Sequence, residues 1–372
     1  MKENKKTKIL VDCHKFDEDF QGITTYIEGL YTELVQQKDF EFYFASRNLH
    51  LLKEVFGEGD NIYYRKLYFS NKWLRLIFDF PRIILKNKID YAHFQYIVPP
   101  IKLCKYITTI HDVLFLEYPK FFTKKYIFKN KYLFGFSAKL SDIILTVSNY
   151  SKKRLLEKRI VKDHIYVTPN AVNPVYFKKH DKQVIRAIIS EKYKIFQPYF
   201  ILVSRIEPRK NHLLLLKTYI DYQYYKNYDL VFVGKKDLDY SELYSFLSQL
   251  NEEIKKRIHF LENVKNADLL KLIQGARLSV YPSLAEGFGI PPLETLAANI
   301  PTVCSNATAM EDFYFLNKYQ FNPNNGFDLK EKIDMALNEN DLDESIEEMK
   351  STYNWKISAK NYLEAIRFKN SN

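Results

Sequence analysis

Short β-branched or aromatic runs alternate with helix-period segments from one end of this chain to the other, and the alternation restarts once near the middle. A strand that returns to its sheet through a helix re-enters parallel to its predecessor, so this order calls for parallel sheets covered by helices on both faces. In the first half the runs Lys8–Cys13, Glu41–Ser46, Asp90–Gln95, Tyr106–Ile110, Asp142–Val147 and His164–Thr168 read as strands. In the second half the strands are Tyr199–Ser204, Asp229–Gly234, Ile258–Leu261, Leu278–Tyr281 and Pro301–Cys304. Each set suffices for a Rossmann-like sheet, and the length of 372 residues favours two domains. The expected fold class is therefore α/β, with two Rossmann-like domains facing across a cleft. The charged, strand-free stretch Lys178–Pro198 is the expected boundary, giving domains of residues 1–180 and 195–354. In open parallel sheets ligands bind beyond the carboxyl ends of the strands, so residues just after strands are the ones to inspect.

Composition narrows the alternatives. With 46% hydrophobic and 27% charged residues the chain can bury a core, which excludes disordered, collagenous and coiled-coil folds. The longest stretch free of Asp, Glu, Lys and Arg, Thr295–Met310, is broken by Asn, Pro, Thr and Ser, so no segment reads as a membrane span. The basic start, MKENKKTKIL, lacks an apolar stretch of signal-peptide length, and the expected location is the cytoplasm. Cys13, Cys104 and Cys304 are odd in number and far apart, which argues against a disulfide framework or a cysteine zinc site and leaves them as small buried apolar residues. The net charge of +11 is uneven: residues 1–185 carry 32 Lys+Arg against 20 Asp+Glu, whereas residues 186–372 carry 24 against 25. A basic first half points to a polyanionic partner there, either nucleic acid or the anionic face of a membrane.

Four post-strand clusters carry candidate chemistry. With only ten glycines in the chain, the near-adjacent Gly287 and Gly289 stand out. They lie in Tyr281-Pro-Ser-Leu-Ala-Glu-Gly-Phe-Gly-Ile-Pro-Pro-Leu-Glu294, which follows a strand and opens a helix whose Pro291 and Pro292 suit a first turn. A helix N-terminus there would draw phosphate or hydroxyl oxygens, and Glu286 and Glu294 would accept hydrogen bonds from sugar hydroxyls. In Ser204-Arg-Ile-Glu-Pro-Arg-Lys-Asn211, the cations Arg205, Arg209 and Lys210 follow a strand and could neutralise a diphosphate. Gly22 precedes a helix with apolar residues at Ile23, Tyr26, Ile27, Leu30 and Leu34, and His111-Asp112 ends the strand Tyr106–Ile110. Asp237-Leu-Asp239 has metal-signature spacing but stands away from the glycine loop and reads as a solvated loop.

Together these clusters resemble the retaining glycosyltransferases of family four, which have the GT-B fold. The carriers are the E-x7-E string from Glu286 to Glu294 within P-S-x-x-E-G-F-G-x-P-x-x-E, Arg205 with Glu207-Pro-Arg-Lys-Asn, His111-Asp112 and Gly22. Smaller matches are Val147-Ser-Asn-Tyr-Ser, Tyr166-Val-Thr-Pro-Asn-Ala-Val and Tyr353-Asn-Trp-Lys-Ile-Ser-Ala. The resemblance implies that Glu286 contacts the donor hexose and Glu294 the nucleotide ribose. It also implies that Arg205 and Lys210 hold the diphosphate, with backbone at Asn263 and Val264 beside the base. Backbone amides at Phe288, Gly289 and Ile290 would meet the sugar and phosphates, and His111 the sugar near the reaction centre. The last helix, Trp355 to Phe368, would return to the first domain, making residues 355–372 a third segment. The chain departs from the family at Gln21-Gly22, where a Gly-Gly pair is common, at Asn299, where a glycine is usual, and at Glu262-Asn263.

The implied activity is metal-independent transfer of a hexose, with retention, from a UDP- or GDP-linked sugar to a saccharide or lipid-linked saccharide in cell-surface glycan synthesis. No cofactor is expected beyond the nucleotide sugar. The segments Lys120–Phe134 and Lys72–Arg82 interleave cations with aromatics. Such segments either lie on an anionic membrane, making the enzyme peripheral, or form ordinary amphipathic core helices. The rival readings are a nucleotide-sugar epimerase or inactive relative of the same fold, and a basic nucleic-acid-binding protein. The last leaves Glu286 and Glu294 without a role, and nucleic acid is not an expected partner.

Overall fold

A computed structural model describes residues 6–17, 22–236, 238–339 and 341–371. Residues 1–5, 18–21, 237, 340 and 372 lie outside the described residues, among them Gln21 and Asp237. The chain forms two compact units, Met1–Ala171 with Tyr353–Asn372, and Val172–Thr352. The division precedes Lys178–Pro198. The helix Lys182–Tyr193 of that stretch belongs to the second unit and packs on the helix Asn266–Gly275, where a Cβ at Gly275 would press within 2.5 Å of Ile189.

The first unit holds seven parallel strands: β1 (Thr7–Asp12), β2 (Phe40–Ser46), β3 (Ile62–Lys66), β4 (Tyr91–Gln95), β5 (Lys105–Thr109), β6 (Ile143–Thr146) and β7 (Ile165–Val167). Their spatial order is β3-β2-β1-β4-β5-β6-β7. The second unit holds β8 (Tyr199–Val203), β9 (Asp229–Val233), β10 (Ile258–Leu261), β11 (Leu278–Tyr281), β12 (Thr302–Ser305) and β13 (Gln320–Phe321), in the order β10-β9-β8-β11-β12-β13. Ile9, Leu10 and Val11 of β1, and Leu230, Val231 and Phe232 of β9, are fully buried, as expected of strands covered on both faces. Two strands, β3 and β13, were not expected. Every residue of β3 keeps some exposure because it closes the sheet edge, and β13 is two residues long, so neither shows a buried run.

Each order reverses once, between β1 and β4 in the first sheet and between β8 and β11 in the second. Crossovers diverge at such a point, leaving room beyond the strand ends. In the second unit this sets the loop after β8 beside the loop after β11, so topology alone brings the basic cluster to the glycine string. Short polar side chains cap two of the first unit's helix starts: Thr123 accepts from the Tyr126 amide and Ser148 from that of Ser151.

Candidate functional site

The second unit's switch point gathers a compact ionic cluster. The Lys210 ammonium donates to Glu286 Oε1 at 2.5 Å, and Arg209 reaches Glu286 Oε2 at 3.3 Å. The same guanidinium donates to the Ala285 carbonyl at 2.5 Å and pairs with Glu207. From the loop after β12, Thr308 accepts from the Glu286 amide at 2.8 Å, so three post-strand segments fix this glutamate. Burial would raise the Glu286 pKa, but Lys210 and Arg209, with hydrogen bonds from Lys210 and Ser283, bring it down to about 2. Glu286 is thus ionised over the whole physiological range. Burial and the nearby Arg209 charge pull the Lys210 ammonium below its usual pKa, although Glu286 works the other way.

Glu286 lies in the loop and not on the helix. The helix begins at Ile290, with Pro291 and Pro292 in its first turn, and runs to Ala297. Gly289 is its N-cap at φ 96°, a left-handed conformation, and a Cβ there would press 3.1 Å from Met310. No side chain caps this start. The helix therefore presents main-chain amides and the positive end of its dipole beside Glu286. Phe288 is buried, edge-on to Phe313 with ring centroids 5.8 Å apart. Glu294 stands on the helix itself. Burial raises its carboxyl to about 7 although Tyr176 donates a hydrogen bond to it. Asn299 takes the left-handed conformation, φ 58°, just past the helix, the geometry for which a glycine is common and asparagine tolerated.

The remaining candidates are dispersed. Arg205 is exposed after β8. Asn263 is exposed at φ 54° after β10, and Val264 is half-buried. Gly22 is an exposed first residue of the helix Gly22–Leu34, and a Cβ there would meet nothing within 4 Å, so no close approach requires glycine. His111 belongs to the first unit, buried beyond β5 against Tyr26, ring centroids 5.1 Å apart. Its Nε2 donates to the side-chain oxygen Oε1 of Gln95 at 2.8 Å, and burial lowers its pKa to about 3. A neutral imidazole with Nε2 protonated keeps Nδ1 as an acceptor. Cys104 is only half-buried, unlike Cys13 and Cys304, so the expectation of three buried cysteines fails at that one.

The sequence counts Arg209 among the cations that could neutralise a diphosphate; in the structure its guanidinium is taken up by the Ala285 carbonyl, Glu286 and Glu207, and it bridges the basic loop to the glycine string. Thr308 and Tyr176, which hold the two glutamates, carried no local signal, because neither lies in a motif near its partner.

The family models settle what this architecture is. The model described as glycosyl transferases group 1 matches residues 186–352, and that of glycosyltransferase family 4 matches residues 20–176. The chain belongs to the group 1 glycosyl transferases. Its fold is GT-B. This group 1 glycosyl transferase is 30% identical to the O-antigen chain mannosyltransferase B of Escherichia coli, over 60% of each chain. It is also 30% identical to the O-antigen chain mannosyltransferase RfbU of Salmonella typhimurium, over 69% of this chain and 66% of that protein. The matched stretches therefore span roughly two thirds or less of these relatives' own length. Sucrose-phosphate synthase from Thermosynechococcus elongatus shares the fold at a TM-score of 0.75 and 15% identity, covering 98% of this chain and 100% of that one. Anabaena HepE, solved with UDP and glucose, does so at 0.72 and 13%, covering 97% and 99%.

Proposed function

We propose that this glycosyl transferase moves a hexose from a nucleoside diphosphate sugar to a saccharide or lipid-linked saccharide during assembly of a cell-surface glycan. Mannose is the sugar its O-antigen relatives favour. The observation that carries the reading is Glu286, ionised and held between Lys210 and Arg209 beside an uncapped helix start. An anion so held accepts hydroxyls of a neutral sugar, while the helix start and the surrounding cations receive the negative diphosphate.

In this mechanism the second unit holds the donor. Lys210 has three donor hydrogens, so its contact to Glu286 leaves it able to meet a phosphate oxygen as well. Arg205 supplies a second cation, and the amides of Phe288, Gly289 and Ile290 complete the anion cradle. Glu294 accepts from the ribose hydroxyls, and main chain at Asn263 and Val264 lies along the base. As the anomeric carbon loses its phosphate, charge grows on oxygens already faced by fixed cations, which lowers the barrier without a metal. The acceptor hydroxyl attacks from the face the diphosphate leaves, which retains configuration, and the departing phosphate takes its proton. His111 is the first unit's candidate for contact with the sugar, through the acceptor nitrogen that Gln95 leaves to it.

A thermal-shift panel of UDP, GDP, ADP and their sugars tests the donor class. A ligand at about 100 times its dissociation constant should stabilise by roughly 2.7 kcal/mol. A response confined to one nucleotide family names the donor, whereas silence across the panel defeats the reading. Consumption of a nucleotide sugar with no glycoside formed would point instead to an epimerase.

A further inference from the structure

We propose that the surface built from Asn71–Phe78 and the outer face of the helix Lys124–Leu140 seats on an anionic lipid bilayer, with its rings in the interface and its lysines on the headgroups. The two segments are about fifty residues apart in sequence yet form one surface, for Lys129 of the helix stands 5.9 Å from the Trp73 ring, which Lys72 also approaches at 5.8 Å.

Periodicity identifies the outward face. Phe128, Tyr132 and Phe136 recur every fourth residue, the spacing of a single helix stripe, and are 66%, 62% and 47% exposed. An amphipathic core helix would turn that stripe inward. Here the core instead takes Phe134 and Ser137. Across from the stripe Trp73, Leu74, Ile77 and Phe78 are also exposed. Single exposed apolar residues need no explanation, but a continuous group on one surface marks an interaction site.

Charge names the occupant. From Tyr118 to Leu140 the chain carries six lysines and no acidic residue, and Asn71–Phe78 adds the exposed Lys72 without an acid, Arg75 of that run being buried. Asp79, which ends that run, is buried and accepts from the Tyr68 and Phe69 amides, so it does not neutralise the surface. Burial first, then Lys129, Lys15 and Arg75, push the Lys72 ammonium down to about 8, with Asp12 in opposition. Crowded cations of this kind gain from an approaching anion. A lipid surface offers negative headgroups beside hydrocarbon, the combination that lysines interleaved with rings satisfy.

The experiment needs no donor, so its outcome is independent of the proposed transfer reaction. The chain has two tryptophans, and Trp355 is buried, so emission changes at the surface report Trp73. The full-length protein is titrated with phosphatidylglycerol and with phosphatidylcholine vesicles at low salt, and both sedimentation and emission are followed. The expected result is binding to the anionic vesicles with a blue shift. Changing Lys124, Lys125, Lys129 and Lys131 to Gln should weaken partitioning at least about tenfold. The triple change Phe128→Ser, Tyr132→Ser and Phe136→Ser should remove most partitioning while keeping the charge. Binding without a blue shift would mean electrostatic adhesion alone and would overturn the proposal. So would a protein that ignores anionic vesicles, or one that forms a dimer which the triple change dissolves. Should the triple variant fail to fold, the emission of the unmodified protein still decides.

Discussion

Glu286 and Glu294 are both enclosed carboxyls, yet their neighbours drive them apart. At Glu286 two cations outweigh burial, so the folded pKa of about 2 lies below the ordinary 4.5; the stability it contributes is present above pH 4.5 and is lost as pH falls toward 2. At Glu294 burial wins, and the folded pKa of about 7 lies above 4.5; its contribution is present below pH 4.5 and is lost as pH rises through 7. Each displaced pKa unit corresponds to about 1.4 kcal/mol. Thermal melts between pH 5 and 8 should therefore show a decline in the native chain that Glu294→Gln removes. Because a ribose diol needs the ionised acceptor, nucleotide affinity should rise over the same interval, and a flat affinity profile would remove Glu294 from the ribose. The cations separate by burial. Lys210→Ala and Arg205→Ala should each slow transfer about a hundredfold, near 3 kcal/mol, with folding intact for the exposed Arg205. Arg209→Ala leaves Glu207 buried without its partner and should cost roughly 3 kcal/mol of stability as well, seen as an earlier denaturant midpoint.

Among the elements, glycines mark where backbones approach too closely for a side chain. A Cβ on Gly29 of the helix Gly22–Leu34 would overlap the Trp355 ring of the C-terminal helix Trp355–Ser371. Gly29→Ala should destabilise the first unit by about 1–3 kcal/mol, measurable by denaturant unfolding, and an unchanged midpoint would show that the helix pair adapts. A Cβ on Gly234, at φ 154°, would strike the Ser204 carbonyl and push the loop after β9 off the loop after β8. Neither glycine was legible as special, since a lone glycine in a helix or at a strand end has many uses and the partner lies far along the chain. The string from Glu286 to Glu294 was legible because its glycines, prolines and acids fall within one turn and one helix. Strand β3 escaped because an edge strand buries only part of each side chain, although Ile62, Tyr63 and Tyr64 offered a short aromatic run.

For the whole molecule, the restart of the strand and helix alternation was enough to forecast two parallel sheets, because each crossover leaves a periodic signature. Strand order within a sheet was not legible: neighbours such as β1 and β4, or β8 and β11, are set by packing between distant segments. That order decides which loops share the switch point, and hence why Lys210 meets Glu286 across 76 positions of sequence. The central claim is that this cluster receives a pyrophosphate. Calorimetric titration with the diphosphate and monophosphate of the responding nucleoside, on the native chain and on Lys210→Ala, tests it most directly. The diphosphate should bind at least about tenfold more tightly, a difference of roughly 1.4 kcal/mol, and the advantage should vanish in the variant. Equal affinities for the two nucleotides, or an advantage untouched by loss of Lys210, would contradict it.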